Sequence, residues 1–171
     1  PEHPERTVPP QEMAERLAAV LAAEGVEGRA IVQSFDWRTL AWFQANRPGI
    51  GLAFLTSAYR GADTVGPRNG HPSPWLAGHD PAAVGGSIPR TVHAAGGRIW
   101  SPDHRGLTEA EMAEARALGL TVIPWTANDP AVMERLILWG ADGLISDYPD
   151  RLRAVLARLG VPLPPQVASA R

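Results

Sequence analysis

The chain has 171 residues, 44% of them hydrophobic and 20% charged, which suits an ordinary globular domain with one sizeable core. Sixteen basic against eighteen acidic residues leave a formal charge of −2, so there is no broad electrostatic footprint for nucleic acid or an anionic membrane; small charged substrates stay open. No cysteine occurs, which excludes disulfides, thiolate nucleophiles and zinc–sulfur sites without choosing between cytoplasm and periplasm. No apolar run approaches the roughly 18 residues of a membrane span. The opening Pro1-Glu2-His3-Pro4 has neither methionine nor a signal-peptide pattern and reads as a cut.

The first predicted element is a helix over 11–24, with Met13, Leu17, Val20 and Leu21 on one face and Gly25 as its stop. A short apolar strand over 29–35 follows, and Asp36 stands where it can cap a helix over 37–46. Pro48-Gly49 ends that helix before a second strand over 50–55. Asp80-Pro81 opens a helical segment to 95, made irregular by Gly85, Gly86 and Pro89, and a third strand follows at 98–100. Thr108-Glu109-Ala110-Glu111 matches a capping box for a helix to Gly119, and 120–125 is the fourth strand. Asp129-Pro130 starts a helix to Trp139, 142–146 is the fifth strand, and a last helix over 150–159 buries Leu152, Val155, Leu156 and Leu159. Residues 161–171 read as a Pro-rich tail after a domain over 1–160. Five short apolar strands alternating with helices predict a parallel α/β sheet covered by helices.

Chemistry in such folds gathers at the carboxyl ends of the strands. The residues there include Gln33, Ser34, Phe35, Thr56, Ser57, Ser101, Asp103, Trp125, Thr126, Asn128, Ser146 and Asp147, with only two carboxylates among them. The loop over 56–79 far exceeds the usual ~2–6 residues and reads either as a disordered insertion or as a lid, the latter favoured by Trp75 and His79. His3, His71, His79 and His93 lack a second ligand at metal spacing and read as surface or packed residues.

Gln33-Ser34-Phe35, Ala115-Arg116-Ala117-Leu118-Gly119-Leu120, Trp125-Thr126-Ala127-Asn128 and Asp142-Gly143-Leu144-Ile145-Ser146-Asp147-Tyr148-Pro149, in this order and spacing, resemble the glycerophosphodiester phosphodiesterases over roughly residues 29–159. The resemblance implies a (β/α)8 barrel of the TIM type, of which this chain supplies the C-terminal five βα units. It implies hydrolysis of a glycerophosphodiester to glycerol phosphate and an alcohol in the complete protein. There, a divalent cation, magnesium or calcium, neutralises the phosphate and histidines act as acid and base. The family's His-Arg-Gly, Glu-x-Asp, His-Asp and Glu-x-Lys elements are not found in register, so catalytic and metal residues are expected on N-terminal strands missing from this chain, which alone is expected to be inactive.

The implied substrate-binding residues are Ser34, as a donor toward phosphate, Phe35 and Trp125, as apolar walls, and Asn128. Each also has a structural reading: barrel filling for Ser34, Phe35 and Trp125, ordering of the Asp129 cap for Asn128, and a turn and cap for Asp147. His104-Arg105-Gly106 spells the family's first-strand signature but follows the third strand, and reads as an exposed loop or a substrate-contacting histidine. The alternative is a non-catalytic partial barrel whose exposed sheet edges are covered by another chain or a second copy, since closed barrels of this kind take about 250 residues. A different phosphate-handling barrel is disfavoured because no strand ends in a suitable lysine or glutamate.

Overall fold

A computed structural model describes residues 4–163; His3 and the tail beyond 163 lie outside them. Four strands, β1 (Ile31–Ser34), β2 (Gly51–Thr56), β3 (Ile99–Pro102) and β4 (Thr121–Val122), form one parallel sheet in the order β1-β2-β3-β4. The helices alternating with them are α1 (Pro10–Ala23), α2 (Trp37–Asn46), α3 (Ile88–Ala94), α4 (Glu109–Ala117), α5 (Pro130–Leu138) and α6 (Pro149–Arg158). None of the described helices is long and apolar enough to cross a membrane.

The helix starts follow the caps. The Asp36 carboxylate accepts from Arg38 N at 3.1 Å and that of Asp129 from Ala131 N at 2.7 Å. The capping box closes in both directions, Thr108 N donating to Glu111 Oε2 at 2.9 Å and Glu111 N to Thr108 Oγ1 at 3.3 Å. Asp80 caps only a 3-10 turn at Pro81–Val84, because Gly85 and Gly86 both take positive φ and break the segment; α3 then restarts on its own cap, Ser87.

Three expectations are corrected. The buried face of α1 is Ala14, Leu17, Ala18 and Leu21, while Met13 and Val20 stay 49% and 57% exposed. α1 packs against α2, and small side chains such as Ala14 and Ala18 suit a closely packed helix contact. The last helix begins at Pro149 with Tyr148 as its cap residue and no side-chain cap, so Asp147 does not cap it.

The predicted fifth strand is not a regular strand, although its backbone still bonds to the β4 segment. Asp142 N donates to the Val122 carbonyl and Ile145 N to that of Pro124, both at 3.0 Å. Three residues on one side thus span two on the other, which is a one-residue bulge. The Asp142 carboxylate, at 2.7 Å, takes the Val122 N–H that a ladder carbonyl would take, and Pro124 has no N–H to offer.

The sheet has two unequal faces. Residues in register on a parallel sheet point to the same side, and one side carries Val32, Phe54, Trp100 and Val122, all buried in the core with the helices. The other side carries Ile31, Ala53, Leu55, Ile99 and, beyond β4, Ile123; none of these joins that core, and Ile31 is 56% exposed. Helices therefore cover one face, whereas parallel sheets are ordinarily buried on both.

The sheet also curls. β1 and β4 are separated by two strands, about 14 Å on a flat sheet at ~4.8 Å per strand. Yet the rings of Phe35 and Trp125, just past their ends, meet with centroids 5.5 Å apart. The uncovered face is therefore concave, like the inner wall of a barrel.

Candidate functional site

The carboxyl ends of the strands meet at an aromatic mouth. Phe35 touches Trp125 edge-on, with an interplanar angle of 87°, and Trp75 on its other side at 6.4 Å and 74°. Trp125 is fixed by its Nε1, which donates to the Ser101 carbonyl at 2.8 Å, and by its backbone pairing with Asp103. All three rings remain partly accessible. Ser34, at the end of β1, is in register with Phe54 and so belongs to the helix-covered side rather than the concave one; its Oγ accepts from Asp36 N at 3.0 Å.

Trp75 comes from the long loop, which is folded rather than disordered. Its base is pinned where Thr64 N donates to the Ser57 carbonyl at 2.8 Å and Ser57 N to Thr64 Oγ1 at 3.0 Å. Asp63 Oδ1 accepts from Val65 N and Gly66 N, and Arg68 and His71 pair across a tight turn at Asn69-Gly70, both with positive φ. Ser73 Oγ then returns to the Thr64 carbonyl at 2.6 Å. Leu76 is buried, Trp75 rests on Phe35, and His79 lies 6.2 Å from the Trp37 ring, so the loop is packed down beside the mouth, in the position a lid would occupy.

Asp103, at the end of β3, is buried and fully engaged. Arg105 grips it through Nε (2.9 Å to Oδ1) and Nη2 (2.6 Å to Oδ2), its backbone N–H adds a bond at 3.0 Å, and Ser57 Oγ donates at 3.2 Å. Burial opposes ionisation, but these hydrogen bonds outweigh it and hold the carboxyl below the usual range. Arg105 also lies over the Tyr59 ring at 4.0 Å, tying the start of the lid to the end of β3.

His104 is half-buried, not part of a fully exposed loop. Its Nδ1 is buried without a partner, and burial pushes its pKa below the ordinary value despite the nearby Asp103 charge.

Asn128 stitches the end of the β4 segment to the bulged segment. Its Nδ2 donates to Asp147 Oδ2 at 2.8 Å, while its Oδ1 accepts from Asp147 N at 3.0 Å and Ser146 Oγ at 3.2 Å. It does not order the Asp129 cap, which Asp129 makes itself. Of the sequence candidates, Phe35 and Trp125 are thus in contact, Ser34 adjoins Phe35, and Asn128 belongs to a separate hydrogen-bonded corner. The pairing of Asp103 with Arg105 and Ser57 was not foreseen, although the Asp-x-Arg spacing was visible.

No group of three His, Asp or Glu side chains among the described residues could hold a metal ion. The two carboxylates at strand ends, Asp103 and Asp147, are engaged by Arg105 and Asn128. The described residues therefore do not fit the divalent ion that the resemblance implies, since a hard cation takes six or more oxygen ligands.

A curled parallel sheet, helices on its convex face only, and an aromatic mouth at the strand carboxyl ends define part of a (β/α) barrel with a ligand-facing rim. Within that class, the glycerophosphoryl diester phosphodiesterase family matches residues 3–151, and the chain belongs to that family. A crystal structure of a putative glycerophosphoryl diester phosphodiesterase from Silicibacter pomeroyi is similar, with TM-score 0.73 and 28% identity over 91% of this chain and 47% of that one. An Oleispira antarctica phosphodiesterase, in complex with the product sn-glycerol-3-phosphate, shares the fold, with TM-score 0.64 and 18% identity over 86% of this chain and 50% of that one. The uncharacterized Bacillus subtilis protein YqiK is 29% identical over 146 residues, 84% of this chain and 50% of that one. The chain thus spans about half the length of these relatives.

Proposed function

We propose that this chain is the substrate-side part of a glycerophosphodiester hydrolase. The observation that carries the reading is the Phe35–Trp75–Trp125 mouth at the strand ends of a chain belonging to this family. Phe35 and Trp125 offer apolar walls to the carbon skeleton of glycerol or the departing alcohol, whereas Ser34, on the helix-covered side of β1, is given no part in holding the phosphate. Asn128 supports the rim by holding Ser146 and Asp147 in place. Metal ligands and the acid and base are assigned to barrel strands that this chain does not carry, because its own strand-end carboxylates are engaged. Purified chain supplied with glycerophosphocholine and calcium or magnesium is expected to give no turnover; measurable release of choline would overturn this division of labour.

A second reading is favoured by the partly exposed concave face with Ile31, Leu55, Ile99 and Ile123: a non-catalytic partial barrel that covers this face with another chain or a second copy. A solution mass of a dimer, with Ile31→Glu restoring the monomer, would support it. A monomeric mass for the wild-type chain would remove the second copy.

A further inference from the structure

The lid carries a basic cleft that the aromatic mouth does not use. An open cleft of about 480 Å³ lies between the turn at 60–64 and Arg68, with Trp75 on its wall, so one indole borders both the cleft and the mouth. Three charged side chains line it: Arg60, Arg68 and Asp63. The Asp63 charge is already answered, since Oδ1 accepts from two backbone N–H groups and Oδ2 lies 3.8 Å from Arg68. Arg68 is half-buried and held in place by the Asp63 carbonyl. Arg60 has no partner among the described residues. The cleft therefore has one net positive charge, an unengaged guanidinium fork and a preorganised second one, the donor set that suits a carboxylate or phosphate. Trp75 closes one wall of the cleft with its half-buried indole, so an anion held by the two guanidinium groups would sit against an aromatic surface.

We propose that this cleft is an anion subsite, and that it receives a second anionic group, carboxylate or phosphate, on the alcohol portion of the diester. The identity of the molecule rests on the proposed glycerophosphodiester reading, whereas the anion site itself does not. A diester whose phosphate lies at the mouth can extend its alcohol past Trp75 into the cleft. Diesters with an anionic alcohol portion are therefore favoured over those with a purely cationic one.

Calorimetric titration of the full 171-residue chain at low ionic strength tests this, because screening would mask a single exposed charge. Glycerophosphoserine and glycerophosphoethanolamine are suitable probes since they differ by one carboxylate, with inorganic phosphate as the bare anion. The expected result is glycerophosphoserine binding roughly tenfold tighter, one charge-assisted contact in effect. The preference is expected to vanish in Arg60→Ala, to return in part in Arg60→Lys, and to persist in Arg158→Ala, which removes a distant surface charge. Equal binding of the two diesters, or a preference that survives Arg60→Ala, would overturn the subsite while leaving the family reading intact. If neither diester binds but phosphate binds in an Arg60-dependent way, the anion site stands and the diester reading falls. If nothing binds, both fall.

Discussion

Replacing Trp75 by alanine tests whether the indole holds the lid against the mouth. A tryptophan buries ~150–250 Å² when fully enclosed, and this half-buried one loses about 100 Å² of contact, worth about 2.5 kcal/mol at ~25 cal/mol per Å². The edge contact with Phe35 adds ~0.5–1 kcal/mol. The sum, about 3 kcal/mol, raises the local opening equilibrium roughly 100-fold. Leu76 is still buried and the Tyr59–Arg105 contact is intact, so the lid opens without the sheet unfolding. Arg60 and Arg68 lie within the released segment and are tryptic sites, so the cleavage rate reports opening when reclosure is fast. Trp75→Ala is expected to accelerate cleavage there by about two orders of magnitude, with little change in the main thermal transition. An acceleration below about threefold would refute the lid.

Three further predictions concern the frame of the site. Asp103→Asn removes a buried charge from Arg105 and is expected to cost about 2–3 kcal/mol at neutral pH, less than a fully enclosed pair because Arg105 keeps half its exposure. Because the folded carboxyl titrates below its ordinary value, its contribution is present above the unfolded pKa and is lost as pH falls through the folded one. Thermal melts should show that acid-side loss in wild type and a flatter profile in Asp103→Asn; parallel profiles would sink the assignment. Asn128→Ala is expected to cost about 1–2 kcal/mol through three lost bonds to Ser146 and Asp147, read by denaturant midpoint, with Asn128→Asp worse because it sets two carboxylates face to face. Gly97→Ala is expected to cost about 1–3 kcal/mol, since an added Cβ would stand 2.6 Å from Val92 Cγ1 and 2.8 Å from its carbonyl; an unchanged melting temperature would show that the turn yields.

Helix starts at Asp36, Thr108 and Asp129 were legible because a cap is a local event, satisfied within three residues of chain. The order of strands and helices, hence the parallel sheet and the strand-end positions of Phe35 and Trp125, followed from the same punctuation and from the shortness of the apolar runs, but the side to which Ser34 turns was set by its register with Phe54. The sequence alone could not choose the face of α1, because the larger side chains Met13 and Val20 outweigh Ala14 and Ala18 in any count of hydrophobicity, whereas close packing on α2 favours the small ones. Nor could it show that Asn128 and Asp147, or Asp103 and Ser57, would engage each other: partners 19 and 46 residues apart in the chain meet only once the sheet has formed. The same holds for the mouth. Phe35, Trp75 and Trp125 are individually visible in the sequence, but the curl of the sheet and the fold of the lid bring their rings together. Local hydrogen bonding thus determined the elements, while curvature and long-range packing decided the site.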